Sequence, residues 1–290
     1  MASLKEIRAR ITSVASTQKI TSAMKMVSAA KLKKTEGITT WFLPYKNKLT
    51  EALSNYLGSL EGEVSIPLAE KREVKKVALM AFSSSSGLCG VYNSSVCKLF
   101  KQVYDKYAED LGTANVTVFL FGKKINDYAK KFGIKVEQQF APLAENMSYD
   151  LAMEVSDKMV ELFLSHKVDR VELIFNHYKN AGVQVPSREV VLPLKAEVHE
   201  KGPQLEYLVE PDKETFVNEL IPKVLRTNFY SIMLDTLTAE HGARMTAMHI
   251  ASDNADQLSQ ELKIQYNKAR QNVITNELID IVGGAEALNG

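Results

Sequence analysis

The first apolar side chains along this sequence are spaced by alternating steps of three and four. Leu4, Ile7, Ile11 and Val14 draw a narrow stripe along an α-helix, the seam that a coiled-coil partner covers. After a polar stretch, Ile20, Met24, Val27 and the stem of Lys31 resume the stripe in a shifted phase, which predicts a locally altered supercoil within one continuing helix. From Ala2 to Leu43 there is no proline and a single glycine, Gly37. Pro44 is expected to kink or break the helix, and a weaker helical pattern runs on to Leu57 before Gly58.

The C-terminal third has the same texture. No proline follows Pro222, and Gly242 is the only glycine before the Gly283-Gly284 pair. Ile274, Leu278, Ile281, Ala285 and Leu288 step again by four and three. A helix beginning near Pro222 would reach roughly 90–100 Å at 1.5 Å per residue. Two long, narrow-striped helices at opposite ends of a chain bury their stripes on each other as an antiparallel coiled coil.

Between them the pattern changes to α/β. Residues 77–82 (Val-Ala-Leu-Met-Ala-Phe) and 116–121 (Val-Thr-Val-Phe-Leu-Phe) are apolar runs suited to strands buried on both faces of a largely parallel sheet. Val96, Leu99, Phe100, Val103 and Tyr107 make a helical face between them, giving β-α-β. Ile125, Tyr128 and Phe132 suggest a short helix, Val136 and Phe140 an edge segment, and residues 151–163 another helix. Residues 171–175 and 183–194 read as two strands joined by a turn at Asn180-Ala181-Gly182, with Pro186 and Pro193 assigning the second to an edge or to bulges. The expected organisation is therefore an N-terminal helix over 1–60, an inserted Rossmann-like α/β domain over 74–209, and a C-terminal helix over 212–290.

Charge and composition narrow the function classes. Lys and Arg number 36 against 35 Asp and Glu, so the net charge of +1 argues against a globally basic nucleic-acid binder. Two cysteines, Cys89 and Cys97, form neither a disulfide framework nor a zinc pattern, and no apolar run approaches the roughly 20 residues of a membrane span. The five histidines include no pair at helical ligand spacing, and Asp253 and Asp256 read as a solvated helix face. The loop Ser83-Ser84-Ser85-Ser86-Gly87-Leu88-Cys89-Gly90 follows a strand, where α/β folds cradle phosphate. It matches neither phosphate-binding glycine motif, so the plainer reading is a tight βα connection. No catalytic, cofactor or metal residues are assigned. Residues 1–34 carry eight lysines and arginines against Glu6 alone. Such a segment suits a transit peptide, an anionic surface or nucleic acid, while its narrow stripe argues for a partner helix.

Three stretches then carry a resemblance. Residues 7–14 (Ile-Arg-Ala-Arg-Ile-Thr-Ser-Val) lead into 17–31 (Thr-Gln-Lys-Ile-Thr-Ser-Ala-Met-Lys-Met-Val-Ser-Ala-Ala-Lys); Glu240-His241-Gly242-Ala243-Arg244-Met245 opens a second; residues 266–271 (Tyr-Asn-Lys-Ala-Arg-Gln), 274–278 and 281–285 close the chain. Together with Gly87-Leu88-Cys89-Gly90, these resemble the γ subunit of F-type ATP synthase over the whole chain. The family often has Asp-Arg where Ser85-Ser86 stand, which puts an ionic contact of that loop in doubt. The family's helix begins by Ala2, so no presequence is expected.

The resemblance implies a non-catalytic rotor without cofactors. Its coiled coil turns inside a ring of three α and three β subunits, and its foot rests on the ε subunit and the c-ring, driven by protons or sodium. It implies contacts to the ring through Met24, Lys25, Arg270, Gln271, Thr275, Glu277, Ile281 and Leu288, and to the c-ring and ε through Glu206, Tyr207 and Glu210. It implies a peripheral place on the cytoplasmic face of a bacterial inner membrane. Two other readings of the residues are a non-motor coiled-coil adaptor with an α/β head and a nucleotide-dependent α/β enzyme.

Overall fold

The structure, a computed structural model, describes residues 3–59, 66–70, 72–140, 143, 147–194 and 213–289, with the side chains of 57–59, 213–215, 217 and 286–289 excepted. The elements run α1 (Leu4–Ser59), a 3-10 turn (Pro67–Ala69), β1 (Val77–Phe82), α2 (Tyr92–Leu111), β2 (Val116–Phe121), α3 (Lys123–Lys131), β3 (Gln138–Phe140), α4 (Tyr149–Leu164), β4 (Arg170–Asn180), β5 (Val183–Leu192) and α5 (Lys213–Asn289). The chain forms two compact units, Met1–Ser28 with Met245–Gly290, and Ala29–Arg244.

The break allowed at Pro44 and the helix start placed near Pro222 are corrected. Pro44 lies inside α1 and Pro222 inside α5, and neither ends its helix; α5 begins at Lys213. An internal proline removes one backbone donor and crowds the preceding turn. In the larger unit that local cost is outweighed by the packing on both sides of each proline: Leu32, Leu53 and Tyr56 on α1, and Ile221, Val224 and Leu225 on α5, are all buried.

The larger unit is built on a five-stranded sheet of order β3-β2-β1-β4-β5. Strands β1 to β4 are parallel, and β5 returns antiparallel from β4. β1 is fully buried, as its unbroken apolar run requires, because helices cover both sheet faces. Ala78, Met80 and Phe82 face α4 and the parts of α1 and α5 within this unit. Val77, Leu79 and Ala81 face α2 and α3. Register puts Phe82, Phe121 and Phe140 side by side, and their rings stack at 4.8 and 4.5 Å between centroids.

The second strand of the hairpin ends at Leu192, before Pro193, and it is the sheet edge, where Pro186 costs no ladder bond on its outer side. β4 extends beyond the expected 171–175 to Asn180 because β5 pairs with it almost to the turn. Glu172 is completely buried in β4; Arg188 donates to it at 2.6 and 2.8 Å and Tyr107 Oη at 2.7 Å, which satisfies the carboxylate at the sheet edge.

Candidate functional site

In the smaller unit α1 and α5 run antiparallel. The Arg8 guanidinium lies 5.9 Å over the Tyr266 ring, the Thr21 and Ser252 hydroxyls meet at 2.8 Å, and Lys25 Nζ sits 3.3 Å from His249 Nδ1. Partner numbers fall as α1 numbers rise, the antiparallel order expected from the two stripes.

The seam itself is not the one expected. Leu4, Ile7, Ile11, Val14, Gln18, Thr21, Lys25 and Ser28 are all buried or half-buried, an unbroken alternation of four and three. Ile20 and Val27, assigned to a phase-shifted stripe, are 61% and 56% exposed. No shift occurs. The stripe only looks shifted because hydroxyl and polar residues occupy the inward positions. Opposite stand Met248, Ser252, Ala255 and Leu262, all buried. The Thr21–Ser252 bond pairs the two buried hydroxyls across the seam.

Met24 and Lys25 are half-buried at this seam. Arg270, Gln271, Thr275, Glu277 and Ile281 lie further along α5 and are exposed. His249, beside Lys25, and Arg270 are 21 residues apart on one helix, about 32 Å along its axis, so the expected contact residues form two separate groups. Every residue from 270 to 285 is exposed, including Val273, Ile274, Leu278, Ile279, Ile281 and Val282. The stripe through Ile274 and Leu278 is therefore not part of the coil seam. Leu288 lies in α5 and its side chain is not among those described; Glu206, Tyr207 and Glu210 lie outside the described residues.

The serine loop after β1 commits most of its polar side chains to the fold, while the buried Ser85 Oγ has no hydrogen-bond partner among the described residues. Ser83 Oγ accepts from the Ile125 N–H at 3.0 Å. The Ser84 N–H donates to Asn93 Oδ1 at 3.0 Å, and Asn93 Nδ2 donates to Ser84 Oγ and Cys89 Sγ at 2.8 and 3.1 Å. Cys89 is buried, and burial pushes its thiol up. The loop is a βα connection bonded in on itself. Where an ionic contact was in doubt, a charged one is present: Arg244 Nη2 on α5 donates to Ser86 Oγ at 2.9 Å, while its Nη1 donates to Glu240 Oε1 at 2.7 Å.

Beside this clamp His241 is 4% exposed, and its Nδ1 has no hydrogen-bond partner among the described residues. Burial, reinforced by the Arg244 and Lys31 charges, pushes it down to about 4. Burial also raises Glu240, against the pull of Arg244. The Arg244–Ser86 contact was invisible in the sequence; the four-residue spacing of Glu240 and Arg244 was its only available signal. Among the described residues no group of three or more acidic, histidine or cysteine side chains is placed to hold a metal, and no helix is long and apolar enough to cross a membrane.

Residues 3–288 match the family described as ATP synthase (ATP-synt). The ATP synthase gamma chain of Flavobacterium johnsoniae is 50% identical, covering 100% of both chains. That of Bacteroides fragilis is 47% identical over 99% of this chain and 100% of its own. Among solved structures, a chain of the Euglena gracilis mitochondrial ATP synthase (OSCP/F1/c-ring) superposes with a TM-score of 0.67 at 20% identity, covering 98% of this chain and 94% of that one. A chain from the central stalk and c-ring of the Tetrahymena thermophila mitochondrial enzyme gives 0.60 at 24% identity over 80% and 99%. At these identities the structural likeness speaks to the fold.

Proposed function

Because this chain belongs to the ATP synthase γ-chain family, whose members are non-catalytic subunits of that complex, we propose that residues 270–285 are the part of its central stalk that reports rotation to a surrounding ring of α and β subunits. The observation that carries the proposal is the exposure of six large aliphatic side chains on this stretch of α5. A helix apolar on several sides, left exposed by the described residues of its own chain, calls for an apolar sleeve. A sleeve of three α and three β subunits gives each β a different face of the stalk. Rotation then changes which β subunit is stabilised in its open, loose or tight state, through contacts that differ between states.

Arg270, Gln271, Thr275 and Glu277 supply the polar contacts of this stretch, with Met24 and Lys25 a second contact nearer the other unit's sequence. Residues 1–60 and 212–290 act as the rotating coil and 74–209 as the inserted domain. Glu206, Tyr207 and Glu210 form the foot on the c-ring and ε subunit, a reading supported by family resemblance alone. The chain is then peripheral to the membrane, on its cytoplasmic face in a bacterium, and driven by protons or sodium through the c-ring.

The test is co-expression with α and β and an assay of ATP hydrolysis. Arg270→Ala combined with Gln271→Ala should lower turnover several-fold while leaving assembly intact. Both side chains are exposed in the chain itself, so a folding defect is not the expected cause. Unchanged turnover in the assembled double variant would remove these residues from the contact.

A further inference from the structure

Within the larger unit, a cavity of about 630 Å³ opens between α1, the β4–β5 hairpin and α5. That is within the usual range for small-molecule sites. The helix positions that face it are largely polar. α1 presents Glu36, Thr39, Thr40 and Lys46 with Leu43, where a packed core would place aliphatic residues throughout. Across the space lie Phe175, His177 and Tyr178 of β4, Glu189 of β5, and Ile232 and Asp235 of α5.

The hydrogen bonds of the wall show what it lacks. The Tyr178 hydroxyl donates to Glu36 Oε1 at 2.6 Å, and Asn228 Nδ2 donates to Glu189 Oε1 at 3.1 Å, each leaving the second carboxylate oxygen with no bond among the described residues. Asp235 is held at both oxygens, by His177 Nδ1 at 2.6 Å and the Tyr178 N–H at 3.0 Å. Thr39, Thr40 and Thr238 donate their hydroxyl protons to carbonyls of their own helices, so toward the cavity they offer lone pairs. The wall is rich in acceptors, and three carboxylates face one lysine and a histidine already bound to Asp235. Lys46 forms no ion pair within 4 Å among the described residues. Burial pushes its ammonium below the ordinary value, with Glu189 and Asp235 pulling the other way.

We propose that this cavity binds small aliphatic ammonium compounds, di- or polyamines, between the Glu36 and Glu189 carboxylates, with the methylene chain over Phe175, Leu43 and Ile232. An ammonium supplies what this wall of three carboxylates and one lysine is short of, positive charge and N–H donors. An anion of the same size meets two to three carboxylates for one lysine. Lys46 is then an opponent of the ligand, in contrast to its role in an anion site, and this fixes the sign of the test.

Titration calorimetry of the full-length chain with 1,4-diaminobutane and, separately, with succinate compares two four-carbon molecules of opposite charge. The diamine should bind saturably at one site and succinate should not. Glu36→Gln and Glu189→Gln should each weaken the diamine on the order of tenfold, and Lys46→Gln should tighten it by a similar factor. Leu43→Trp, which fills the cavity without touching a charge, should abolish binding, and unfolding midpoints of all variants identify any that fail to fold. Succinate binding lost in Lys46→Gln, absence of diamine binding, or diamine binding indifferent to Leu43→Trp would each overturn the proposal.

Discussion

His241 makes the stability of the larger unit depend on acidity in a calculable way. Its side chain is 4% exposed and its protonation in the native state is pushed from 6.5 down to about 4, first by burial and then by Arg244 and Lys31. The unfolded chain takes up the proton near 6.5 and the native chain does not. Between those values the unfolded state therefore binds more protons, and stability falls as pH falls. At pH 5.5 the native ring is still neutral, so the loss is set by the unfolded value alone. One pH unit below it corresponds to about 1.3 kcal/mol relative to pH 7.5.

Glu240 and Asp235 act in the opposite sense. Burial raises both, so each contributes stability at low pH that is lost as pH rises through its native value. The raw pH profile mixes the three, and the measurement must be a difference. His241→Gln keeps a polar side chain but removes the titrating ring. Urea unfolding followed by circular dichroism at pH 7.5 and 5.5 should show the variant gaining about 1.3 kcal/mol on the parent between the two conditions. Whatever the substitution costs in packing cancels in that comparison. A parent-to-variant difference that stays the same at both pH values would refute the argument that the ring is buried and neutral.

Three further outcomes follow from the geometry. Thr21→Val leaves the Ser252 hydroxyl without its 2.8 Å partner in the helix seam and should cost about 1–3 kcal/mol by thermal unfolding, most of it restored by adding Ser252→Ala; an additive double variant would remove the bond from the account. Gly122 has φ +90°, and a Cβ there would stand 2.1 Å from the Ser83 carbonyl oxygen, so Gly122→Ala should cost about 3 kcal/mol or more and lower the melting temperature sharply; an unchanged melt contradicts that close approach. Leu278→Asp with Ile281→Asp alters side chains 57% and 67% exposed, so chain stability should move by no more than about 0.5 kcal/mol while co-purification with α and β subunits is lost; intact assembly would exclude this stretch from the sleeve.

Much of the fold was legible because residue pattern and burial have the same cause. The run 77–82 is apolar at every position because helices cover both faces of β1, and the periods of α2, α3 and α4 follow from their packing on that sheet. The prolines were misleading for a thermodynamic reason. Pro44 and Pro222 each impose a local cost, and the sequence shows that cost without showing the packing that outweighs it. The α1 seam was misread for a chemical reason. A reading by hydrophobicity selects Ile20 and Val27 and passes over Thr21 and Ser28, yet here the two hydroxyl residues are buried and the two aliphatic ones exposed. A strict count of four and three from Leu4 without regard to polarity finds all three fully buried positions of α1 in this unit, Ile7, Thr21 and Ser28.

The exposed aliphatics then become informative together. In an ordinary two-helix seam, apolar residues on the outer face are scattered and carry no meaning. Here Ile20 and Val27 on α1, and Ile250, Ile264, Ile274, Leu278 and Ile281 on α5, are all 47% exposed or more, while the seam between the helices is partly polar. The two helices therefore do not reserve their hydrophobic surface for each other. A coil that leaves this much aliphatic surface on its outer faces is organised for an environment that covers it. On the function proposed above, Lys25 at the seam and Arg270 beyond it would be the positions where angle is read, since an ion pair or hydrogen bond forms in one orientation and is lost in the next. The proposal thus divides the labour by residue type: aliphatic surface for the bearing, a few polar side chains for the catch.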